Sequence, residues 1–129
     1  MWLFDTSFVI DLFRHDERAL KKAEELDESG LTKAISVVTV HEILRGLFYI
    51  GGDQKIADGE KALAKFDIIP YTYQISRKAA EIDATLMKQG EVISFPDVVI
   101  AATALTFGMR LVTNDEHFRR IKGLEIESY

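Results

Sequence analysis

The chain contains no cysteine. That excludes disulfides and thiolate metal sites, and it agrees with an intracellular protein. A long hydrophobic run is missing too. The longest nearly uninterrupted apolar stretch, Val98 to Leu105, includes Thr103 and is too short to span a bilayer, so no membrane role is expected. At the N-terminus there is no basic flank followed by an extended apolar segment; Met1 to Phe4 runs straight into a carboxylate at Asp5. This is unlike a signal peptide, and a cytoplasmic protein is expected. Low-complexity tracts and internal repeats are also absent, so disorder is not expected beyond the termini.

What is there is the composition of an ordinary soluble protein: 129 residues, 47% hydrophobic and 29% charged. A single domain over residues 1–129 is expected, long enough to bury roughly two-thirds of the surface its unfolded chain exposes. The net charge of −5 argues weakly against nucleic-acid binding, because affinity for phosphates comes mainly from Lys and Arg. Position matters more than the total. Four acids, Asp5, Glu42, Asp97 and Asp115, account for −4 of that charge and fall in four separated segments.

Hydrophobic patterning gives strands alternating with helices. Trp2 to Phe4 reads as a buried strand, after which Thr6 or Ser7 can cap a helix carrying Phe8, Val9, Ile10, Leu12 and Phe13. Glu17 to Glu28 reads as a helix ending before Gly30, and Ala34 to Val38 as a short second strand. Val40, Ile43, Leu44, Leu47 and Phe48 form a helical stripe ended by Gly51 and Gly52; Phe48, Tyr49 and Ile50 at its end are open to a core or a subunit-contact reading. Asp53 can cap a further helix to about Phe66, weakened by Gly59. Ile68, Ile69, Tyr71 and Tyr73 suggest an edge strand interrupted by Pro70, followed by a helix from Ser76 to Lys88. Pro96, at a first helical position, opens the most apolar helix, Asp97 to Phe107, before Gly108. Leu111-Val112, Asp115 to Ile121 and Leu124 to Glu127 then read as strand, short helix and strand. The alternation predicts an α/β sandwich with a mostly parallel sheet, in which ligands gather beyond the carboxyl ends of the strands.

Each acid has a structural reading beside a functional one. Glu42 fits a capping box as the N3 residue of Thr39-Val40-His41-Glu42. Asp97 lies in a helix's first turn, where the macrodipole favours any acid, and Asp115 can cap a short helix or shape a turn beside Asn114. Asp5 is harder to dismiss, since a carboxylate directly after a buried apolar strand is unfavourable unless something compensates it. If the four converge on one cleft, their mutual repulsion is relieved most simply by a cation. Oxygen-only ligands suit Mg²⁺ or Mn²⁺ rather than zinc or copper.

Four motifs, in order, carry a resemblance over essentially the whole chain: Phe4-Asp5-Thr6-Ser7 with Ile10-Asp11, Thr39-Val40-His41-Glu42-Ile43 with Gly46, Asp97 through Ala104, and Leu111-Val112-Thr113-Asn114-Asp115 with Phe118. In these the chain resembles PIN-domain ribonucleases of the VapC toxin type. The resemblance implies a PIN-like α/β/α sandwich and a Mg²⁺- or Mn²⁺-dependent endoribonuclease with Asp5, Glu42, Asp97 and Asp115 as metal ligands. Thr6, Ser7 and Thr113 would supply hydroxyls near the metal or the substrate. It further implies an RNA substrate, a cognate antitoxin covering the acidic cleft, and a homodimer. Asn114 departs from the pattern, standing where many relatives carry a basic residue; a phosphate contact expected there is placed in doubt.

Such a site activates water for in-line attack on a phosphodiester and stabilises the leaving 3′-oxygen, with no catalytic histidine required. His15, His41 and His117 read as surface or capping residues. Arg45, three residues after Glu42, fits either a helix-surface ion pair or a substrate phosphate contact. Two other readings compete with the nuclease. Phosphotransfer through an aspartyl intermediate is disfavoured because Asp5-Thr6-Ser7 lacks the second aspartate expected two residues on. A non-catalytic RNA- or antitoxin-binding module would use the acids only as helix caps.

Overall fold

The computed structural model describes all 129 residues. Five short strands, β1 (Trp2–Phe4), β2 (Lys33–Ser36), β3 (Asp67–Ile69), β4 (Arg110–Val112) and β5 (Ile126–Glu127), pair in parallel throughout, in the order β3-β2-β1-β4-β5. Between them lie α1 (Thr6–Phe13), α2 (Glu17–Glu28), α3 (Val37–Ile50), α4 (Asp53–Leu63), α5 (Tyr73–Gln89) and α6 (Phe95–Phe107), with a 3₁₀ helix at Glu116–Arg120. This is the α/β/α sandwich that the alternation of elements predicts.

Strand periodicity divides the core into two layers. Leu3, Ala34 and Leu111 face one side of the sheet, where they meet Ile75, Ile82 and Leu86 of α5, the buried run Val98 to Ala104 of α6, and Phe118. Trp2, Phe4, Ile35 and Val112 face the other, where they meet Phe8 and Val9 of α1, Leu26 of α2, Ile43 of α3 and Leu63 of α4. The rings of Phe4 and Phe8 cross edge to face at 4.7 Å, a geometry that contributes about 0.5–1.5 kcal/mol beyond area burial. With a layer on each face, the central strands are apolar on both sides. That is why β1 reads as an unbroken apolar run.

Several boundaries differ from the sequence reading, each for a local reason. Val37 and Val38 belong to α3 and not to β2, because the Ser36 hydroxyl accepts the Val38 N–H at 3.1 Å and ends the strand two residues before the β-branched pattern suggests. The strand expected from Ile68 to Tyr73 stops at Ile69; Thr72 caps α5, accepting the Ile75 N–H, so Tyr73 is helical. Gly52 and not Asp53 stands at the start of α4, without a side-chain cap, and α4 ends at Leu63. Ser94 caps α6, which puts Pro96 second and Asp97 third in the helix. The helix at residue 115 starts one residue later than expected and is 3₁₀.

Gly59 does not disrupt α4. A Cβ there would lie 2.3 Å from Leu47 Cδ1, so the glycine allows α4 to lie against α3.

Candidate metal centre

The carboxyl edge of the sheet gathers the four acids because all strands point the same way. Phe4 of β1 is opposite both Ile35 of β2 and Val112 of β4, so the segments leaving these three strands emerge together. Asp5 follows β1 directly, Asp115 lies three residues beyond β4, and Glu42 sits in the second turn of α3, which begins where β2 ends. Asp97 arrives from α6, whose first turn reaches the same edge. The chain fills the β2-β3 side first and then crosses to β4, making this edge the topological switch point of the sheet.

Asp5 is 2% exposed. The expectation that Thr6 or Ser7 caps α1 is incorrect: Asp5 is itself the cap, with Oδ1 accepting the Phe8 N–H at 2.8 Å. Its Oδ2 accepts the Thr113 hydroxyl, whose own oxygen accepts the Asp115 N–H at 2.9 Å. Burial nevertheless pushes the Asp5 carboxyl up to about 6; the two hydrogen bonds oppose that rise, and the charges of Asp97 and Asp115 add to it. Desolvation also raises Asp97, reinforced by Asp115 and Glu42, with Ser94 pulling the other way. These couplings link all four acids in one electrostatic cluster.

The capping-box reading of Glu42 fails. With Ser36 as the cap of α3, Thr39 is the third helical residue and Glu42 lies too far along to reach the terminus. Glu42 Oε1 instead accepts the Thr6 hydroxyl at 2.7 Å, and Thr6 and Thr39 hydroxyls lie 3.0 Å apart. Thr6 thereby connects α1 to the acid-bearing face of α3. Asp115 does cap the 3₁₀ helix, its Oδ1 accepting the His117 N–H at 2.9 Å.

Ser7 is exposed and has no hydrogen-bond partner. Arg45 is exposed and forms no ion pair with Glu42, so the helix-surface pair is absent. His117, which the sequence assigns to the surface, is exposed but places Nδ1 3.2 Å from Asp115 Oδ1. One ligand atom each from Asp97, Asp115 and His117 lie within 4.8 Å of one another. The spacing Asp115-x-His117 across a single tight turn was the signal for this. The contact between Asp11, part of the first motif, and Tyr129 was also missed, since the two are 118 residues apart in sequence.

No lysine or arginine pairs with Asp5, Glu42, Asp97 or Asp115. Acids crowded at a half-buried edge without a cationic side chain fit a hard divalent cation, for which carboxylate oxygens are the preferred donors. His117 adds a nitrogen at the exposed rim.

The PIN domain family model matches residues 2–124. Ribonuclease VapC1 of Rickettsia felis is 33% identical over 129 residues, covering 96% of this chain and 92% of that one. Among solved structures, VapBC-1 from nontypeable Haemophilus influenzae superposes with a TM-score of 0.87 at 26% identity, over 98% of this chain and 96% of that one. A toxin-antitoxin complex from Klebsiella pneumoniae gives 0.75 at 27% identity, over 96% and 95%.

Proposed function

The chain belongs to the PIN-domain family, and from that premise we propose that it is a metal-dependent endoribonuclease of the VapC toxin type. One observation carries the reading: four carboxylates from four chain segments share one edge of the sheet, two of them raised by burial and mutual repulsion, with no lysine or arginine paired to them. A capping role accounts for one oxygen of Asp5 and for Asp115, but not for Glu42. That difference favours the nuclease over a non-catalytic binding module.

Asp5, Asp97, Asp115 and Glu42 would hold Mg²⁺ or Mn²⁺. When bound, the cation supplies an activated water and charge stabilisation at a phosphodiester. The chain's own residues prepare that chemistry. Thr113 fixes one Asp5 oxygen and the Asp115 backbone together, while Thr6 aims Glu42 toward the cleft. The Phe8 N–H at the start of α1 holds the other Asp5 oxygen, leaving the carboxylate one orientation.

The relatives described as VapBC and toxin-antitoxin complexes support an antitoxin as the regulator of this chain. Phe48, Tyr49 and Ile50, at 63%, 91% and 69% exposure, lie outside the core and support a contact with another subunit, in keeping with a homodimer. No helix is long and apolar enough to cross a membrane, and a cytoplasmic site of action is part of the proposal.

The test is RNA cleavage with and without added Mn²⁺ or Mg²⁺, beside Asp5→Asn. The variant keeps the shape and the capping acceptor but loses the charge. Cleavage should fall at least about a hundredfold, the scale seen when one directly acting polar group is removed from an active site. Equal activity in a folded Asp5→Asn protein would refute the proposal.

A further inference from the structure

Beside the acid cluster, beyond Asp115, the surface opens into a cavity of about 300 Å³. Arg18 of α2 and Arg119 of the 3₁₀ helix line it, with Thr113, Asn114, Asp115, Glu116, Ile126, Ser128 and Tyr129 completing it. We propose that this cavity is a subsite for a backbone phosphate of the RNA strand, next to the phosphate held at the acid cluster. The inference rests on the nuclease reading for its substrate, but its residues are outside the metal centre except where Asp115 and Thr113 form the shared wall.

Its lining selects a sugar-phosphate over a base. Only Ile126 and Tyr129 are apolar, and the Tyr129 ring is packed at 4.5 Å from Phe8, so the lining is mainly polar and charged. Arg18 is exposed and makes no ion pair. Arg119 Nε is 3.0 Å from Glu116, but both groups are largely exposed, and a surface pair of this kind is readily exchanged. A guanidinium donates two parallel hydrogen bonds to a phosphate, which a lysine cannot match. The opposing charges are Glu116, already facing Arg119, and Asp115, whose carboxylate belongs to the cation site.

Asn114 shows why the task falls to these arginines. Asn114 is neutral and its amide is held by Tyr129: Nδ2 donates to the Tyr129 carbonyl at 2.7 Å, and Oδ1 accepts the Tyr129 N–H at 2.8 Å. The Tyr129 hydroxyl in turn donates to Asp11 Oδ2 at 2.6 Å. This clasp joins α1 to the segment after β4, and two of its members, Asn114 and Tyr129, line the cavity. Asn114 has one amide N–H left and no charge, whereas Arg18 of α2 and Arg119 of the 3₁₀ helix bring positive charge to the cavity from two other elements.

The experiment measures anisotropy of a 5′-labelled single-stranded RNA bound to the Asp5→Asn chain in Mn²⁺ across a salt series, so cleavage does not interfere. Arg18→Ala and Arg119→Ala should each weaken binding about tenfold and reduce the slope of log K against log salt by about 0.7. The loss should be the same for RNAs of different sequence, as expected for a phosphate contact. Arg18→Lys should keep the slope but recover only part of the affinity, and Arg110→Ala at the opposite edge of the sheet should change neither. Thermal melting of each variant establishes that it is folded. A double Arg18→Ala/Arg119→Ala chain with unchanged affinity and slope would overturn the subsite, as would a loss that depends on base identity. Failure of the unmutated chain to bind Mn²⁺ or to cleave RNA counts against the nuclease reading alone, since RNA binding is read separately.

Discussion

The two edges of this one sheet treat charge in opposite ways. At the amino edge, Arg110 pairs with Glu125 at 3.1 Å and lies 5.8 Å from the Trp2 ring centre, Lys33 pairs with Asp27, and the Trp2 indole donates to Ser29. Charges there meet their opposites in the open, where solvent screens them. At the carboxyl edge, four acids gather with no lysine or arginine partner, and Asp5, Ser36, Thr39 and Thr113 account for four of the five buried polar residues. Two edges made by the same strands thus differ in whether their charges are paired. The first is electrostatically satisfied, and the second holds an unmet demand for positive charge.

The comparison breaks most visibly with pH in the metal-free chain. Asp5 is raised from 3.8 to about 6, so between those values the folded state holds a proton that the unfolded chain has released. Stability must therefore fall as pH rises from about 4 to about 6, with the penalty fully present above that, and the upward shift of Asp97 has the same sign. At about 1.4 kcal/mol per pH unit the Asp5 contribution is of order 2–3 kcal/mol. Asp5→Asn should remove it, making the chelated protein more stable at pH 7.5 than the unsubstituted chain but little different at pH 4. Thermal melts in EDTA at the two pH values measure this, and equal stability of both chains at pH 7.5 would mean the edge is not strained. Saturating Mn²⁺ should reverse the ranking, by stabilising only the chain with its full set of acids.

Thr113→Val gives a smaller change and sharpens the account of what restrains that strain. The hydroxyl bridges Asp5 and the Asp115 backbone in the buried part of the cluster. Losing a hydrogen bond to an ionised carboxylate costs about 1.5–3 kcal/mol. The cost should be largest at pH 7.5 and shrink toward pH 4, where Asp5 is protonated. A loss independent of pH, in the same melts, would assign Thr113 to packing alone.

Legibility in the sequence follows the same division. Elements defined by local chemistry were readable. The apolar run after Pro96 is the buried α6, and the acid directly after Trp2-Leu3-Phe4 is buried at the end of β1. What misled was local chemistry overruled by a neighbour. Val37 and Val38 look like strand until the Ser36 hydroxyl starts a helix, and that shift of the cap is what dissolves the capping box around Glu42. Tyr71 and Tyr73 alternate like a strand, but Thr72 caps α5 between them. Contacts bridging long sequence distances had no local signature at all. Asn114 with Tyr129, Asp11 with Tyr129 and Thr6 with Glu42 all depend on strand order and register, which no window of sequence contains.

The smallest expected effect lies at the amino edge and tests whether the two edges are independent. Arg110 and Glu125 side chains are 59% and 70% exposed, so Arg110→Ala gives up only a screened ion pair and a peripheral contact with Trp2. The cost should stay below about 1 kcal/mol and fade in high salt. Cleavage should remain within about twofold, because β4 separates Arg110 from Asp115 and the charge at one end is screened before it reaches the other. A large loss of cleavage in a folded Arg110→Ala chain would show that the paired edge holds the strands in the register that brings Asp5 and Thr113 together. The satisfied end would then be part of the active one.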